Sequence, residues 1–423
     1  MTAMSTPLAA LRPSAAPPAP ARARVGAAEG KTGPLIILGG GPIGLVCALL
    51  LGRQGFCTQL VDARPVEALQ RDRRLLALSR GTLQVLESLL GPAFAPMAAI
   101  ERVHVSSRGE PGATHLGAQD FGGVALGATV WYADLVGALA HAATKEKQIR
   151  IQRPRRAVAV HQSIDHVRVE LDDGGLLEGF LAIDAEGAPP PMREPEHFAL
   201  LADLHIARVQ AGDAIERFTR EGPLALLPLP GAESALPPPG LTDPRGSRPL
   251  RMSMIWCLPA SLARARKDLA DSDFLERIGR ALGPRIGTPT QLGERSVFPL
   301  LTHRLRHVCE HRLVHLGNAA QSLHPVAGQG FNLGIRDCVG LVESLVDAAA
   351  LSGGDPLVAI EKYGARRRMD RAIIPSLTSA LPWLFSSPLA PIRVARSTAL
   401  VALDLVPVLR RQFTHLLMFG APR

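Results

Sequence analysis

Between Pro34 and Gly52 the chain runs for 19 residues without a charge, and Gly39-Gly40-Gly41-Pro42 stands near the middle of that run. An apolar stretch of this length is long enough to cross a bilayer as one helix. Three glycines and a proline at its most apolar depth would break such a helix. The same residues suit a buried strand, "PLIILGG" (34–40), then a tight turn, then a helix, "PIGLVCALLLGRQG" (42–55). Proline stands at the first helical position and glycine just past the last turn, where each belongs. With a second strand, "CTQLVDA" (57–63), these elements predict a β-turn-α-β unit, hence parallel strands and a right-handed crossover. The fold class expected is therefore α/β.

The turn itself is chemical as well as structural. Gly39, Gly41 and Gly44 have the GxGxxG spacing, in which the first glycine allows the turn and the second admits a pyrophosphate. The third lets helix and strand pack closely, and the helix aims its free N–H groups at the phosphate. Asp62 ends the next strand 23 residues after Gly39, where a carboxylate accepts ribose hydroxyls and disfavours a 2′-phosphate. FAD and NAD are not distinguished at this point.

Further along, "RGTLQVLESLLG" (80–91) and "DLVGALAHAATKE" (134–146) read as helices, with a glycine-rich, less readable stretch at 109–128 between them. Strands then follow without helices: "RRAVAVHQ" (155–162), "HVRVELDDGG" (166–175), "LLEGFLAIDAEG" (176–187), and others around 200–210, 214–230 and 250–259. A Pro/Gly-rich segment at 231–249 is expected to be an exposed loop. "SDFLERIGRALG" (272–283) is a helix, "RLVHLGN" (312–318) a buried strand, "GIRDCVGLVESLVDAAAL" (334–351) a long helix, and the remainder from about 355 helical and basic. At 423 residues and 47% hydrophobic, with aromatics only 4%, aliphatic side chains must fill the core. The net charge of +9 is not organised into a nucleic-acid module, because the basic runs "RIQRPRR" (150–156) and "ARRRMDR" (365–371) lack interleaved aromatics and read as solvated helix ends or turns. The five cysteines form no CxxC pair, so no disulfide or zinc site is expected and a reducing compartment is. Residues 1–33 hold ten alanines and five prolines with no acid before Glu29 and are expected to be a disordered tail. Its arginines resemble a transit peptide, but its prolines argue against the amphipathic helix such a peptide needs.

A second passage, "HLGNAAQSLHPVAGQGFNLGIRD" (315–337), chooses between the two cofactors. NAD in a doubly wound domain needs no second glycine-rich cradle, whereas a flavin ring lies farther from its adenine and does. Here a strand delivers Gly317-Asn318, whose side chain can bond a ribityl chain. Gly328 and Gly330 let backbone pass close to a flat ring, and a helix beginning near Asn332 points its positive end at that ring, which suits the negative charge of reduced flavin.

These motifs carry a resemblance. "GGGPIG…VDAR", residues 72–91, "ERFTREGPLALLPL" (216–229), "RSVFPL" (295–300) and the second passage resemble, in the same order, the single-component FAD-dependent aromatic hydroxylases of the para-hydroxybenzoate hydroxylase class. Within it the chain looks most like the ubiquinone-biosynthesis hydroxylases, in particular the 2-polyprenyl-6-methoxyphenol hydroxylase branch, where Asn318 in place of an aspartate is typical. The resemblance implies that Gly39, Gly41 and Gly44 hold the pyrophosphate of FAD, Asp62 the adenosine ribose, and Arg74 a phosphate or the ribityl region. It places Asn318 at the ribityl chain, Gly328, Gly330, Phe331 and Asn332 at the isoalloxazine, and Pro325, the catalytic candidate, where its carbonyl approaches the substrate hydroxyl. It further implies a FAD-binding, GxGxxG Rossmann-like domain in pieces (34–100, 130–195 and 296–371), an inserted β-rich substrate domain (101–129 and 196–295) and a helical C-terminal region (372–423). The reaction implied is hydroxylation of a prenylated phenol with O2 and NAD(P)H through a flavin C4a-hydroperoxide, NAD(P)H being a transient co-substrate.

Two positions depart from the family. Its mid-chain "DG" motif appears as Ala185-Glu186-Gly187, and the arginine or histidine that many members place before the helix near 134 is Ala133. His303, His307, His311 and His315 recur every four residues but enter a strand, so they would not share one face, and no metal is expected. His324, beside Pro325, is near enough in sequence to reach the same site or to be satisfied by backbone. A flavin hydroxylase acting on another aromatic, and a non-catalytic flavoprotein-fold subunit of a quinone-biosynthesis complex, are the alternatives. The protein is expected in the cytoplasm without nucleic-acid partners. The aliphatic C-terminal run (397–420) offers a seat on the inner membrane face, a contact within such a complex, or packing onto the core; a homodimer is also open.

Overall fold

A computed structural model of the protein describes residues 33–191, 194–231, 249–323, 328–351, 355–387 and 389–421. The expected disordered tail (residues 1–32 of it), most of the loop at 231–249, and His324 and Pro325 lie outside them.

The opening unit forms as the glycine turn requires. β1 (Leu35–Leu38) leads into α1 (Pro42–Arg53), and β2 (Thr58–Val61) returns parallel to β1, Leu35 opposite Thr58. After one turn of helix, α2 (Val66–Leu69), β3 (Leu75–Ser79) runs into α3 (Arg80–Leu90), whose first turn is capped by the Ser79 hydroxyl accepting from Thr82 N. The stretch that is hard to read in sequence holds β4 (Met97–Ile100), β5 (Arg102–Ser107), β6 (Ala113–Gly117) and β7 (Gly127–Trp131), and α4 (Tyr132–Lys145) follows. Next come β8 (Ile149–Gln152), β9 (Ala157–Gln162), β10 (Val167–Leu171), β11 (Leu176–Gly179) and β12 (Leu181–Asp184). The single strand expected over 176–187 is thus two. β11 pairs antiparallel with β10, while β12 turns away at Phe180 to pair parallel with β1.

β13 (His197–Ala207), β14 (Asp213–Phe218), β15 (Pro223–Pro228), β16 (Leu250–Pro259) and β17 (Thr288–Pro299) follow, with α5 (Ala260–Lys267) and α6 (Asp271–Leu282) between the last two strands. Short strands β18 (His303–Arg304), β19 (Cys309–Glu310), β20 (Leu313–His315) and β21 (Gln321–Ser322) lead to four helices: α7 (Gln329–Leu351), α8 (Pro356–Ser386), α9 (Ala390–Leu405) and α10 (Pro407–Phe419). The helix expected to begin near Asn332 begins at Gln329.

Two of the sheets set the architecture. The first has the order β19-β20-β12-β1-β2-β8, parallel apart from β19, and packs its fully buried Leu35, Ile37, Leu60 and Ile183 against α1, α4 and α7. Near-continuous apolar runs are what a parallel sheet covered on both faces demands. The second has the order β17-β13-β16-β15-β14-β5-β6 and is antiparallel except where β14 runs beside β5. Its strands alternate. Leu200, Leu204, Met254 and Trp256 face α5 and α6, with Phe274 and Ile278 behind them. Leu201, Asp203, Ser253 and Ile255 face the other way, onto a cavity. A period of two therefore makes one face core and the other a binding wall.

Both basic runs depart from the expected solvated state. Arg367 and Arg371 are 5% and 8% exposed. The Arg367 guanidinium pairs with Asp337 at 2.9 Å and Asp370 at 2.5 Å, tying α8 to α7. Burial of such charges is tolerated only with partners of this kind. Among the described residues, no helix is long and apolar enough to cross a membrane.

Candidate functional site

α1 presents its N-terminus to open space. Gly41 precedes it without a side-chain cap, Pro42 takes the first helical position, and Gly41, Pro42 and Ile43 line a cavity. The N–H groups of an uncapped first turn are a seat for an anion. The three motif glycines are demanded by different things. Gly39 has φ +96°, and a Cβ on it would lie 2.5 Å from Ala185 O. A Cβ on Gly44 would lie 1.9 Å from Gly39 O. The fold itself needs these two. At Gly41 the nearest atom to such a Cβ would be the Tyr132 hydroxyl at 3.6 Å, so the chain leaves that space free.

Asp62 stands at the end of β2, only 3% exposed. Gly40 N donates to its Oδ2 at 2.6 Å and Arg64 N to its Oδ1 at 2.7 Å. The carboxylate thereby holds the glycine turn from beneath. Arg153, from the run expected to be solvated, instead folds inward: its Nη2 donates to Gly40 O and lies 3.9 Å from Asp62. Sequence reasoning missed this residue, since one arginine in a basic run carries no signal of its own. Arg74 grips Asp72 through Nε and Nη2 at 2.9 and 2.6 Å, and its guanidinium lies 4.7 Å over the Tyr132 ring. Burial opposes that charge, but Asp72 outweighs it and holds the guanidinium above its ordinary range. Tyr132, also missed, lines the cavity with Arg64 and Arg74.

The second passage arrives from the opposite side of the same cavity. β20 ends at His315, whose Nδ1 meets Asp184 Oδ2 at 2.8 Å. Gly317 then turns at φ +56°, and a Cβ there would press on Ile43 of α1 at 3.2 Å. Asn318 follows into the cavity lining, its carbonyl bonded to His303 Nε2 at 2.5 Å. Gly328 has φ +59° and lies against Ala77, its Cβ position 3.0 Å from that side chain. Asn332 is 2% exposed. Its Oδ1 accepts from Ser79 N at 2.8 Å, and its Nδ2 donates to Ala77 O and Gly328 O at 3.0 and 2.8 Å. That side chain clamps the start of α7 to the end of β3. Gly328, Gly330, Phe331 and Asn332 all line the cavity, and a Cβ on Gly330 would meet no atom within 4 Å. Gly41 and Gly330 are thus two places where glycine leaves room that the protein does not fill.

Ala185, Glu186 and Gly187 edge the same space, with Glu186 N donating to Asp184 Oδ1 at 3.0 Å. Partial burial, together with Asp184 and Asp62, pushes the Glu186 carboxyl above its ordinary range. The spaced histidines take separate partners: His303 meets Asn318 O, His311 Ser163 O and His315 Asp184. Among the described residues, no group of three or more His, Cys, Asp or Glu is placed to hold a metal ion. The catalytic candidate Pro325 lies outside the described residues.

The cavity measures about 1540 Å³, well above the roughly 300–1,000 Å³ of common small-ligand sites. One end is the pair of glycine passages. The other is an aliphatic chamber between the seven-stranded sheet and the last helices, walled by Val103, Val105, Ile255, Leu384 and Leu400.

The family pattern described as the FAD binding domain matches residues 32–194 and 208–372. The chain is 28% identical to ubiquinone hydroxylase UbiL of Rhodospirillum rubrum over 430 residues, covering 97% of this chain and 95% of that one. It is also 28% identical to 3-demethoxyubiquinol 3-hydroxylase of Escherichia coli K12 over 401 residues, covering 89% and 96%. Among solved structures, P. aeruginosa PqsL in complex with 2-aminobenzoylacetate superposes with a TM-score of 0.69 at 19% identity, covering 87% of this chain and 99% of that one; this last likeness is one of fold.

Proposed function

The chain belongs to the FAD binding domain family, and from that premise we propose that it is an FAD-dependent monooxygenase hydroxylating a polyprenylated phenol with O2 and NAD(P)H in ubiquinone biosynthesis. The two full-length relatives named above act as ubiquinone-pathway hydroxylases by their names, and the observation that carries the reading is the single cavity that joins a dinucleotide cradle to an aliphatic chamber. NAD(P)H provides two electrons, one oxygen atom of O2 enters a ring C–H bond, and the other leaves as water. FAD, when bound, supplies the hydride acceptance and oxygen activation that side chains lack.

The residues present fit that cofactor. The uncapped N-terminus of α1 with the free space above Gly41 suits a pyrophosphate, and Asp62 the adenosine ribose. Asn318 and Arg74 line the same cavity as the glycines of the two passages and suit the ribityl and phosphate region. Gly328, Gly330, Phe331 and Asn332 edge the end where a flat ring would lie, and the open Cβ position of Gly330 is the room such a ring requires. The aliphatic walls beyond it exclude water and accept an apolar tail. We divide the chain between a discontinuous cofactor domain and an inserted substrate domain along the two large sheets. We also place the protein in the cytoplasm, working at the inner membrane face where its substrate partitions.

The test is direct. Purified protein should carry FAD and oxidise NAD(P)H only when a short-chain prenylated phenol is present, and oxygen from labelled O2 should appear in the product. Colourless protein that takes up no added FAD would instead support a non-catalytic subunit. Unchanged quinone in a strain lacking the protein would remove the pathway assignment.

A further inference from the structure

α9 is turned inside out with respect to water. Arg396 and Asp404 are held by the protein, while Arg393 and Thr398 stay exposed. Arg396, 5% exposed, bonds the Glu110 carboxylate and donates to the carbonyls of Leu384 and Phe385 at 2.8 and 2.7 Å. Asp404 accepts from His115 N at 2.9 Å. The outward stripe is apolar: Val394, Val401 and Leu405, spaced to share one helical face, are 66%, 39% and 72% exposed. At the elbow joining α9 to α10 the stripe continues through Val406, Val408 and Leu409, at 40%, 57% and 46%. A helix in contact with water shows the reverse pattern, and a contiguous apolar patch of this kind marks a contact surface.

We propose that the outer face of α9 and the α9–α10 elbow seat in an anionic lipid surface, so that the apolar tail of the substrate enters the cavity from the bilayer through this helical layer. The proposal rests on the reading of the protein as a hydroxylase of a prenylated phenol. Two observations select lipid over a second copy of the chain. Residues 390–423 contain five arginines and a single acid, Asp404; Arg393 and Arg396 share Glu110 and Arg410 pairs with Asp120, and Arg411 stands exposed beside the elbow. An exposed arginine at the rim of an apolar face suits an anionic leaflet. The same helices also line the cavity from their other side, through Leu400, Leu403, Phe413 and Leu417. Only one helix thickness, about 10 Å, then separates the chamber from the proposed lipid. The mode is interfacial rather than spanning, as the helix lengths among the described residues require.

The test uses the FAD-loaded full chain and vesicles of phosphatidylcholine with and without phosphatidylglycerol. The wild type should sediment with the vesicles containing phosphatidylglycerol and be released by salt. A Leu405→Ser/Val408→Ser/Leu409→Ser variant should lose at least about tenfold in vesicle affinity while keeping its FAD absorbance and Tm, because none of the three lines the cavity. Equal binding by the variant, or no binding by the wild type, overturns the proposal. So does a wild-type dimer in light scattering that the variant converts to monomer, which would assign the face to a second copy. Turnover of a short-chain phenol without vesicles tests the hydroxylase reading separately, so the two failures are distinguishable.

Discussion

Alanine at Gly330 and alanine at Gly44 should act in opposite senses, although both replace a glycine of a cofactor motif. At Gly44 the new methyl would sit 1.9 Å from the carbonyl oxygen of Gly39, more than an ångström inside the 3.0 Å that real Cβ atoms keep. Gly39 cannot give way, because its own φ of +96° is fixed against Ala185. Overpacking of that kind costs about 3 kcal/mol or more, and it should fall on the cofactor-free protein. At Gly330 the methyl would enter empty space in the first turn of α7. Removing a glycine from a helix there should stabilise the cofactor-free chain by about 0.4–1 kcal/mol, a Tm rise of about 1–4 °C. FAD, however, needs that space, and its Kd should weaken by at least about tenfold, ~1.4 kcal/mol. Thermal melts of FAD-stripped protein and titration with FAD by fluorescence quenching read the two quantities separately. Gly364, which also has no atom near its Cβ position but lies in α8, is the control: Gly364→Ala should stabilise without touching Kd. An unchanged FAD affinity in Gly330→Ala would refute the placement of the ring against Gly330.

Asp337 is fully buried against Arg367, so Asp337→Ala should cost about 1.5–3 kcal/mol by removing one of the two carboxylates on that guanidinium, Asp370 remaining, and a Tm loss of under 1 °C would contradict the pairing. Burial, aided by His115 and Arg217, lowers His104 from 6.5 to about 4. The folded state thus prefers neutral imidazole, and stability should fall as pH drops from 6.5 toward 4. His104→Gln should flatten that part of the Tm–pH curve, and an unaltered slope would refute the assignment. Glu110→Gln, which removes the carboxylate joining Arg393 and Arg396 to the β5–β6 hairpin, should weaken local protection of α9 by about 1.5–3 kcal/mol in hydrogen exchange while leaving the FAD content unchanged.

The opening β-turn-α-β unit was legible because each local signal agreed: apolar run, glycines, proline at the helix start, aspartate at the next strand end. The passage at 315–337 was legible as a strand, a glycine-broken turn and a helix for the same reason, apart from the three residues by which α7 starts earlier than expected, and several of its described residues line the same cavity as the first turn. What stayed hidden depends on partners distant in sequence. β5 reads poorly by itself and becomes a strand beside β14, 111 residues away at the Arg102–Asp213 contact. Arg153 and Arg367 stand in runs that look solvated, and only the fold reveals Asp62 and Asp337 waiting for them. The split of 176–187 into β11 and β12 also depends on competition between two sheets, which the segment's own residues do not record. Asn332 looked like a residue offering backbone to a ring, and its side chain proved to be a clamp on β3.

That clamp has a consequence for how the protein is made. Ser79 and Asn332 are 253 residues apart, so a ribosome adding about 5–20 residues per second needs roughly 13–50 s between them. Throughout that interval the nascent chain holds the glycine turn at 39–44 but lacks Gly328–Asn332 on the other side of the cavity, with the apolar flank of α1 still waiting for α7. A chain stopped anywhere before α7 lacks one wall of the cavity, so the closing segment of the sequence completes a space that its opening segment begins.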